Sequence, residues 1–293
     1  MNSVPKVSVC VVTYNHEKYI RECLESIVTQ KCDFDFEVIV GEDCSTDNTR
    51  AIVQEYVDKY PNIVKPLFHE KNVGASDNYF LVHNQAKGEY ICHMDGDDYA
   101  LPGKLQAQAD FMDKTPDCNI CFHRVKVLFP DGTIKDDLID YEKIKDGFER
   151  KDLLMYMAVA TNSSKMYRKE VKHFDIPCFE ILDTYAHIEQ VKEGKAYFVS
   201  NRVLGVYRKD VGISSTGNKT KLLQLKQLVY FTKKYPKYKE YINTAILIGF
   251  LADLINWRNT KKDYFYMWIK TFKIKSIFNF IRVYNTIKMF KLK

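Results

Sequence analysis

In the stretch EYICHMDGDDYALPGKL, residues 89–105, an apolar run ends in three carboxylates within four residues, Asp95, Asp97 and Asp98. Closing a buried strand in so much like charge is costly unless something positive meets it there. A divalent ion with hard oxygen ligands, Mg2+ or Mn2+, suits one or two carboxylates completed by substrate phosphates and water. Asp97 and Asp98 fit that role better than a closed protein cage does. An EF-hand calcium loop needs acidic or amide groups at alternate positions and a distal Glu, which DGDDYALPGKLQ lacks. His93 stands two residues before Asp95 and therefore on the same strand face. The seven histidines show no H-x-x-x-H spacing and read as structural. Taken alone, D-G-D-D is a weak signal, and its weight comes from what surrounds it.

The surrounding pattern alternates. KVSVCVVTYN is a continuous β-branched run, and EKYIRECLESIVTQ places Ile20, Cys23, Leu24, Ile27 and Val28 at helical spacing. FEVIVGED is a second strand and STDNTRAIVQEYVDKY a helix opened by Ser45, Thr46 or Asp47. IVKPLFHE is a third strand before the helix in NVGASDNYFLVHNQAKG, and EYICHM is a fourth. LPGKLQAQADFMDKTP follows as a helix, with Pro102 suited to its first turn and Pro116 past its end. Such alternation specifies an α/β fold, with parallel strands joined by right-handed crossovers and helices on both faces. The acidic cluster then lies at the carboxyl end of a strand, the edge where open α/β sheets bind ligands. After residue 118 the rhythm turns mixed: NICFHRVKVLFPDGT reads as a hairpin arm turning at Pro-Asp-Gly, and KAYFVSNRVLGVYR as a pair of strands.

At 46% hydrophobic and 14% aromatic, the 293 residues can bury a full core. The net charge of +6 conceals a division. Residues 219–293 hold 17 Lys and Arg against 3 Asp and Glu, so the remainder carries a net negative charge. An acidic body argues against nucleic acid across the main domain, whereas a basic end suits a polyanionic surface. Eight cysteines without a small-domain framework read as reduced thiols, and Cys118 and Cys121, in a strand-like run without a second ligand pair, as neither a zinc nor a redox site. No leader is visible in MNSVPKVSVCVV, and the least polar helical run, TAILIGFLADLI, is too short to span a bilayer. The expectation is a cytoplasmic protein, soluble or at the inner face of the membrane. In the last helix Ile277, Phe280, Ile281, Tyr284 and Ile287 share one face, while Lys275, Asn279, Arg282, Thr286 and Lys293 share the other. That pattern serves equally a helix lying on an anionic membrane and one packed on the body with a solvated basic face.

VSVCVVTYNHEKYIRECLESIVTQ, FEVIVGEDCSTDNT and NVGASDNYFLVHNQAKGEYICHMDGDDYALPGKL together resemble the nucleotide-diphospho-sugar glycosyltransferases of the GT-A fold, family 2. The likeness covers most of the first 105 residues, and a weaker pattern runs to about residue 216. The resemblance implies a Rossmann-like, mainly parallel mixed sheet over residues 1–215 that binds the donor and performs catalysis, and a basic helical extension over 216–293. It implies that Thr13, Tyr14 and Asn15 lie at the nucleotide, with Tyr14 against the base, that Asp43 reads the base edge, and that Asn78 is nearby. It further implies that Asp97 and Asp98 are the D-x-D-type acids and that Asp98, Asp97 and Asp95 hold the metal, Asp98 as its direct ligand. Glu42 stands where Asp is more usual, and Gly96 where Ala is common.

By the same resemblance Asp183 is the acceptor-side general base, with Glu180 as its rival; an Asp at that place also suits a plain helix cap. Arg208 matches a late Tyr-Arg and small-residue loop at the pyrophosphate, and Ser163 and Ser164 fall near the acceptor pocket. The expected reaction is inverting transfer from a UDP-sugar to a saccharide or lipid-linked acceptor in surface polysaccharide synthesis. A metal at the departing diphosphate would stabilise the charge that grows there. Two alternatives stand beside it. A sugar nucleotidyltransferase usually opens with a Gly-rich phosphate loop, and TYNHEKY has no glycine; a non-catalytic nucleotide-sugar scaffold would have less need of the acids.

Overall fold

The computed structural model describes residues 4–211 and 218–290. Four strands, β1 Val7–Thr13, β2 Phe36–Glu42, β3 Val64–Phe68 and β4 Tyr90–Asp95, pair in parallel in the order β3-β2-β1-β4. The helices between them are α1 Ile20–Val28, α2 Thr49–Lys59 and α3 Ala75–Gln85. On α1 the five apolar residues picked out by their spacing are the ones buried. Pro66 lies in β3, the edge strand, where a missing N–H is tolerated.

This order has a direct consequence for the site. The chain leaves β1 in one direction to build β2 and β3, then returns to place β4 on the other flank of β1. The loops after β1 and β4 therefore diverge at a switch point, which opens a crevice at the carboxyl edge.

Beyond β4 the sheet becomes mixed, with β5 Tyr99–Ala100, β6 Cys118–Leu128, β7 Ile134–Asp136, β8 Met166–Arg168 and β9 Lys195–Arg208. β8 joins β4 and β6 antiparallel, whereas β6 and β9 run parallel. The β6–β7 turn closes at Gly132, whose φ of 83° suits glycine. KAYFVSNRVLGVYR is one strand of 14 residues, not the expected pair. Pairing slips between Phe122–Phe198 and Arg124–Val203, so the segment 199–202, with the polar Ser200, Asn201 and Arg202, is accommodated as a bulge without a reversal of direction. Pro102 also differs from expectation. Helix α4, Lys104–Lys114, starts after Gly103 at φ 84°, and Pro102 sits in the turn before it. All eight cysteines are unpaired, with Cys118 and Cys121 buried in β6.

Helices α5 Arg150–Tyr156 and α6 Asp183–Gln190 pack on the second half of the sheet, followed by α7 Asn218–Lys234, α8 Lys239–Ile255, α9 Lys261–Lys270 and α10 Lys275–Ile287. The expected boundary at 215/216 and Lys293 lie outside the described residues. Leu228, Phe231, Ile246, Tyr264 and Met289 of the helical end belong to the same apolar cluster as Ile91, Phe122 and Tyr185. The extension is thus built onto the body.

Candidate active site

The loop after β1 and the loop after β2 are tied to each other. Asn15, at φ 55°, accepts from the Thr46 N–H through Oδ1 at 2.8 Å, and its own N–H donates to Ser45 Oγ at 2.9 Å. The His16 N–H donates to Thr49 Oγ1 at 2.8 Å, and Thr13 Oγ1 meets His16 Nδ1 at 3.2 Å. Glu42 is fully buried; it accepts from the Ser45 N–H at 2.6 Å and pairs with Arg50. Glu42 and Asn15 therefore brace the crevice wall. Tyr14, at 41% exposure, leaves its ring free at the lip.

Asp43 is buried, and each carboxylate oxygen accepts a backbone N–H, Val73 at 2.7 Å and Gly74 at 3.0 Å. Each oxygen keeps a lone pair for a further donor. Asn78, expected near the nucleotide, is used inside the fold. Its amide donates to Gly41 O at 2.9 Å and its Oδ1 faces His69 Nε2 at 3.0 Å. It props the loop that carries Asp43. Gly41 is required beneath it, since a Cβ there would lie 2.2 Å from Asn78 Oδ1.

At the end of β4, the Gly96 N–H donates to Val12 O at 2.9 Å, which draws the acidic turn against β1. A Cβ on Gly96 would stand 2.7 Å from Thr13 Oγ1, so in this chain the alanine common in the family does not fit without a shift. Asp98 accepts from the Arg208 N–H at 2.7 Å through Oδ1, while its buried Oδ2 has no partner. Burial and the neighbouring carboxylates drive the Asp98 carboxyl well above the usual range. Burial, with Asp95 adding to it, pushes Asp97 up to about 7. Without a countercharge the turn does not hold three full negative charges. A buried, unpartnered carboxylate oxygen beside a second acid fits a divalent cation shared with a phosphate, whereas no group of three or more acidic, His or Cys side chains forms a cage among the described residues.

Asp95 differs from its neighbours. Burial works against its carboxylate, but bonds from His93 and Ser163 outweigh that and hold it below the usual range. His93 Nε2 lies 3.1 Å from Oδ1 and Ser163 Oγ 3.2 Å from Oδ2. Behind His93, its Nδ1 meets His83 Nε2 at 2.9 Å, and His83 Nδ1 meets Tyr167 Oη at 2.5 Å. Burial lowers both imidazoles, and with both neutral one proton arrangement satisfies every bond: Tyr167 donates to His83, His83 to His93, and His93 to Asp95. His93 was legible from the strand period; His83 and Tyr167, distant in sequence, were not.

Asp183 is the first residue of α6, and its Oδ1 accepts from the Thr184 N–H at 2.7 Å. Asp183 itself is exposed to solvent, at the head of a helix whose following residues, Thr184–Gln190, are buried. Burial raises it, opposed by the Thr184 bond and by the charge of Lys165, and Asp95 is close enough to add to the rise. Glu180 is paired with Lys219 at 3.0 Å on the surface. Lys165, which the sequence did not single out, is fully buried and donates to Tyr79 Oη at 3.1 Å. Burial pulls its ammonium down to about 8. Ser164 is turned to Thr161 O at 2.7 Å, away from the acids.

Arg208 is not left free for a phosphate. Its guanidinium bonds Glu22 and Asp97 O and lies 5.0 Å from the Tyr19 and Tyr99 rings. It fastens β9 to the acidic turn. Of the loop expected after it, residues 212–217 lie outside the described residues.

Comparison with known proteins bears on the family and the fold. The chain is 34% identical over 205 residues to an uncharacterized protein of Mycobacterium tuberculosis, covering 69% of this chain and 58% of that one. The chain thus spans under two thirds of that relative's length. It is 28% identical over 230 residues to the putative teichuronic acid biosynthesis glycosyltransferase TuaG of Bacillus subtilis, covering 78% and 88%. The crystal structure of S. aureus TarS 1-349 with UDP-GlcNAc shares the fold at a TM-score of 0.63 and 23% identity, over 82% of this chain and 71% of that one. Residues 8–174 match the family Glycosyl transferase family 2, and the chain belongs to that family.

Proposed function

We propose that this chain moves a sugar from a nucleotide diphosphate donor, UDP-linked, to a hydroxyl of a saccharide or lipid-linked acceptor in surface polysaccharide synthesis, with inversion at the anomeric carbon. The observation that carries this reading is the acidic turn at the switch point. Asp97 and Asp98 are buried there with raised pKa values and an unpartnered oxygen, a combination that a cation shared with a diphosphate resolves. The TarS structure with UDP-GlcNAc and the naming of TuaG for teichuronic acid support a UDP-sugar and a surface polymer.

Asp98 and Asp97 would hold Mg2+ or Mn2+, and a bound ion supplies Lewis-acid stabilisation of the departing diphosphate, worth several kcal/mol. The remaining work falls to this chain's own side chains. Tyr14 offers a ring to the base, and Asp43 its free lone pairs to a base N–H, on a loop steadied by Asn78. Thr13 and Asn15 hold the first loop in place. His93 and Ser163 fix Asp95 at the rim of the site, and Arg208 clamps the acidic turn to β9. Asp183 takes the proton of the acceptor hydroxyl as its oxygen bonds the anomeric carbon. The sugar–phosphate bond breaks on the opposite face, its electron pair leaving with the diphosphate. The first 215 residues do this work, and residues 216–293 seat them at the inner face of the cell membrane.

UDP release from a panel of UDP-sugars, with and without saccharide acceptors, tests the reading in manganese and again after chelation. Acceptor-stimulated, chelator-sensitive release is the expected result. No release with any donor, and no thermal shift by UDP with manganese, would return the protein to a scaffold.

A further inference from the structure

The last helix does not use its apolar face as the sequence arranged it. Ser276 and Val283 are the buried positions of α10, and Phe280 and Ile287 are partly buried beside them. Ile274, Phe278, Ile281 and Tyr284 are exposed at 60%, 66%, 67% and 50% and, at helical spacing, form a second stripe on the other side of the helix. Phe265, Tyr266 and Ile269 of α9 and Trp257, at 82%, add to the same end of the chain. Among the described residues, eleven of the eighteen exposed large apolar side chains fall within residues 254–284. So many exposed apolar side chains on consecutive elements exceed the scattered ones of an ordinary surface.

Charge says what covers it. Residues 254–290 contain eight Lys and Arg and one acid, Asp263. Several lysines lie against the exposed aromatics: Lys261 Nζ is 4.8 Å from the Trp257 ring, Lys270 5.6 Å from Tyr266 and Lys288 4.6 Å from Tyr284. Amphipathic rings beside lysines whose stems run along apolar surface are the arrangement of an interfacial helix. A two-fold pairing with a second copy would bring this cationic surface against itself, which like charge opposes. Nucleic acid would match the lysines and leave the apolar stripe unmatched. We propose that α9, α10 and Trp257 form a docking surface for an anionic lipid bilayer, with Phe278, Ile281 and Trp257 entering the headgroup boundary and the lysines meeting lipid phosphates.

Co-sedimentation of the 293-residue chain with phosphatidylcholine vesicles, with and without phosphatidylglycerol, tests this independently of any transferase activity. The expected result is binding to the anionic vesicles that weakens as salt rises. Phe278→Ser with Ile281→Ser should lower partition at least about tenfold, and Lys262→Glu with Lys273→Glu should abolish the lipid-charge preference. Melting temperature and UDP binding should stay those of the parent in both. Equal partition of parent and variants, or no binding to anionic vesicles, overturns the proposal. So does a parent dimer that the Phe278 and Ile281 changes dissociate. None of these outcomes bears on UDP release, so the donor reading and the membrane reading fail separately.

Discussion

The crevice at the carboxyl edge and the helical end invert each other. In the crevice, like charges are gathered and buried: Asp97 and Asp98 are 8% and 1% exposed, and their mutual repulsion is left standing. At the helical end the opposite charges lie spread on the surface and the apolar groups share the exposure, with Ile281 and Trp257 among the most open side chains of the chain. Both arrangements are unfavourable in water alone, one through desolvated charge and the other through wetted hydrocarbon. Each is what a surface looks like when its partner is part of the energetics. The difference teaches which partner: a compact, multiply charged group in one place and a broad amphipathic one in the other.

Breaking the crevice should cost the most. Asp183→Asn should reduce transfer about 10²- to 10⁴-fold with UDP binding retained, measured as kcat against donor Kd. A base works ionised, so transfer in the parent should fall as pH drops through a value above the ordinary carboxylate range, because burial raises Asp183. A rate indifferent to this substitution would make Asp183 only the first residue of its helix.

Asp98→Asn should lower transfer about 10²- to 10³-fold. Because it removes a buried like charge, calorimetry should show a melting temperature equal to the parent's or higher. Lost stability with retained transfer would mark the acidic turn as structural.

The helical end separates its two faces next. Tyr264 is fully buried, with its hydroxyl 3.1 Å from Lys221 O and from Gln224 Oε1, so Tyr264→Ala should cost about 3 to 5 kcal/mol in urea unfolding. Phe278→Ser, on the exposed side, should cost close to nothing. Equal costs would mean that the exposed stripe is packed in solution. Removing the chain beyond residue 260 would take Tyr264 and Met289 out of the core, so point substitutions probe membrane binding more cleanly.

The smallest effect sharpens the crevice's inner wall. Lys165 is held at about 8 by burial, against 10.5 ordinarily, so between those values the unfolded chain binds the proton that the folded one has lost. Stability of the parent relative to Lys165→Met should therefore climb with pH across that window, by up to about 1.4 kcal/mol per pH unit, and the handicap should be full below it. Parallel stability curves for the two proteins would show that Lys165 carries no such strain.

Local pattern reached a long way in the first half. The four parallel strands, the apolar face of α1 and the acidic turn follow from β-branched runs, a 3.6-residue spacing and a cluster of like charge, all of which are written in neighbouring residues. The polar loops were legible as a group, but not what each member does: Asn15, Asn78 and Arg208 spend their donors and acceptors inside the protein. Their partners lie 31, 37 and 111 positions away in the chain. Of the relay to Asp95, His93 was legible from the strand period, whereas the step from Tyr167 to His83 spans 84 positions and was not.

Periodicity along the chain is set by the geometry of one element, so strands, helices and the sign of the charge at each end could be read from the order of residues alone. Which apolar stripe of α10 is buried, which carboxylate oxygen lacks a partner and which polar side chain is free to meet a ligand depend on groups brought together across the sheet. Hydrogen-bond satisfaction and desolvation are properties of that assembly, and only the folded chain decides them.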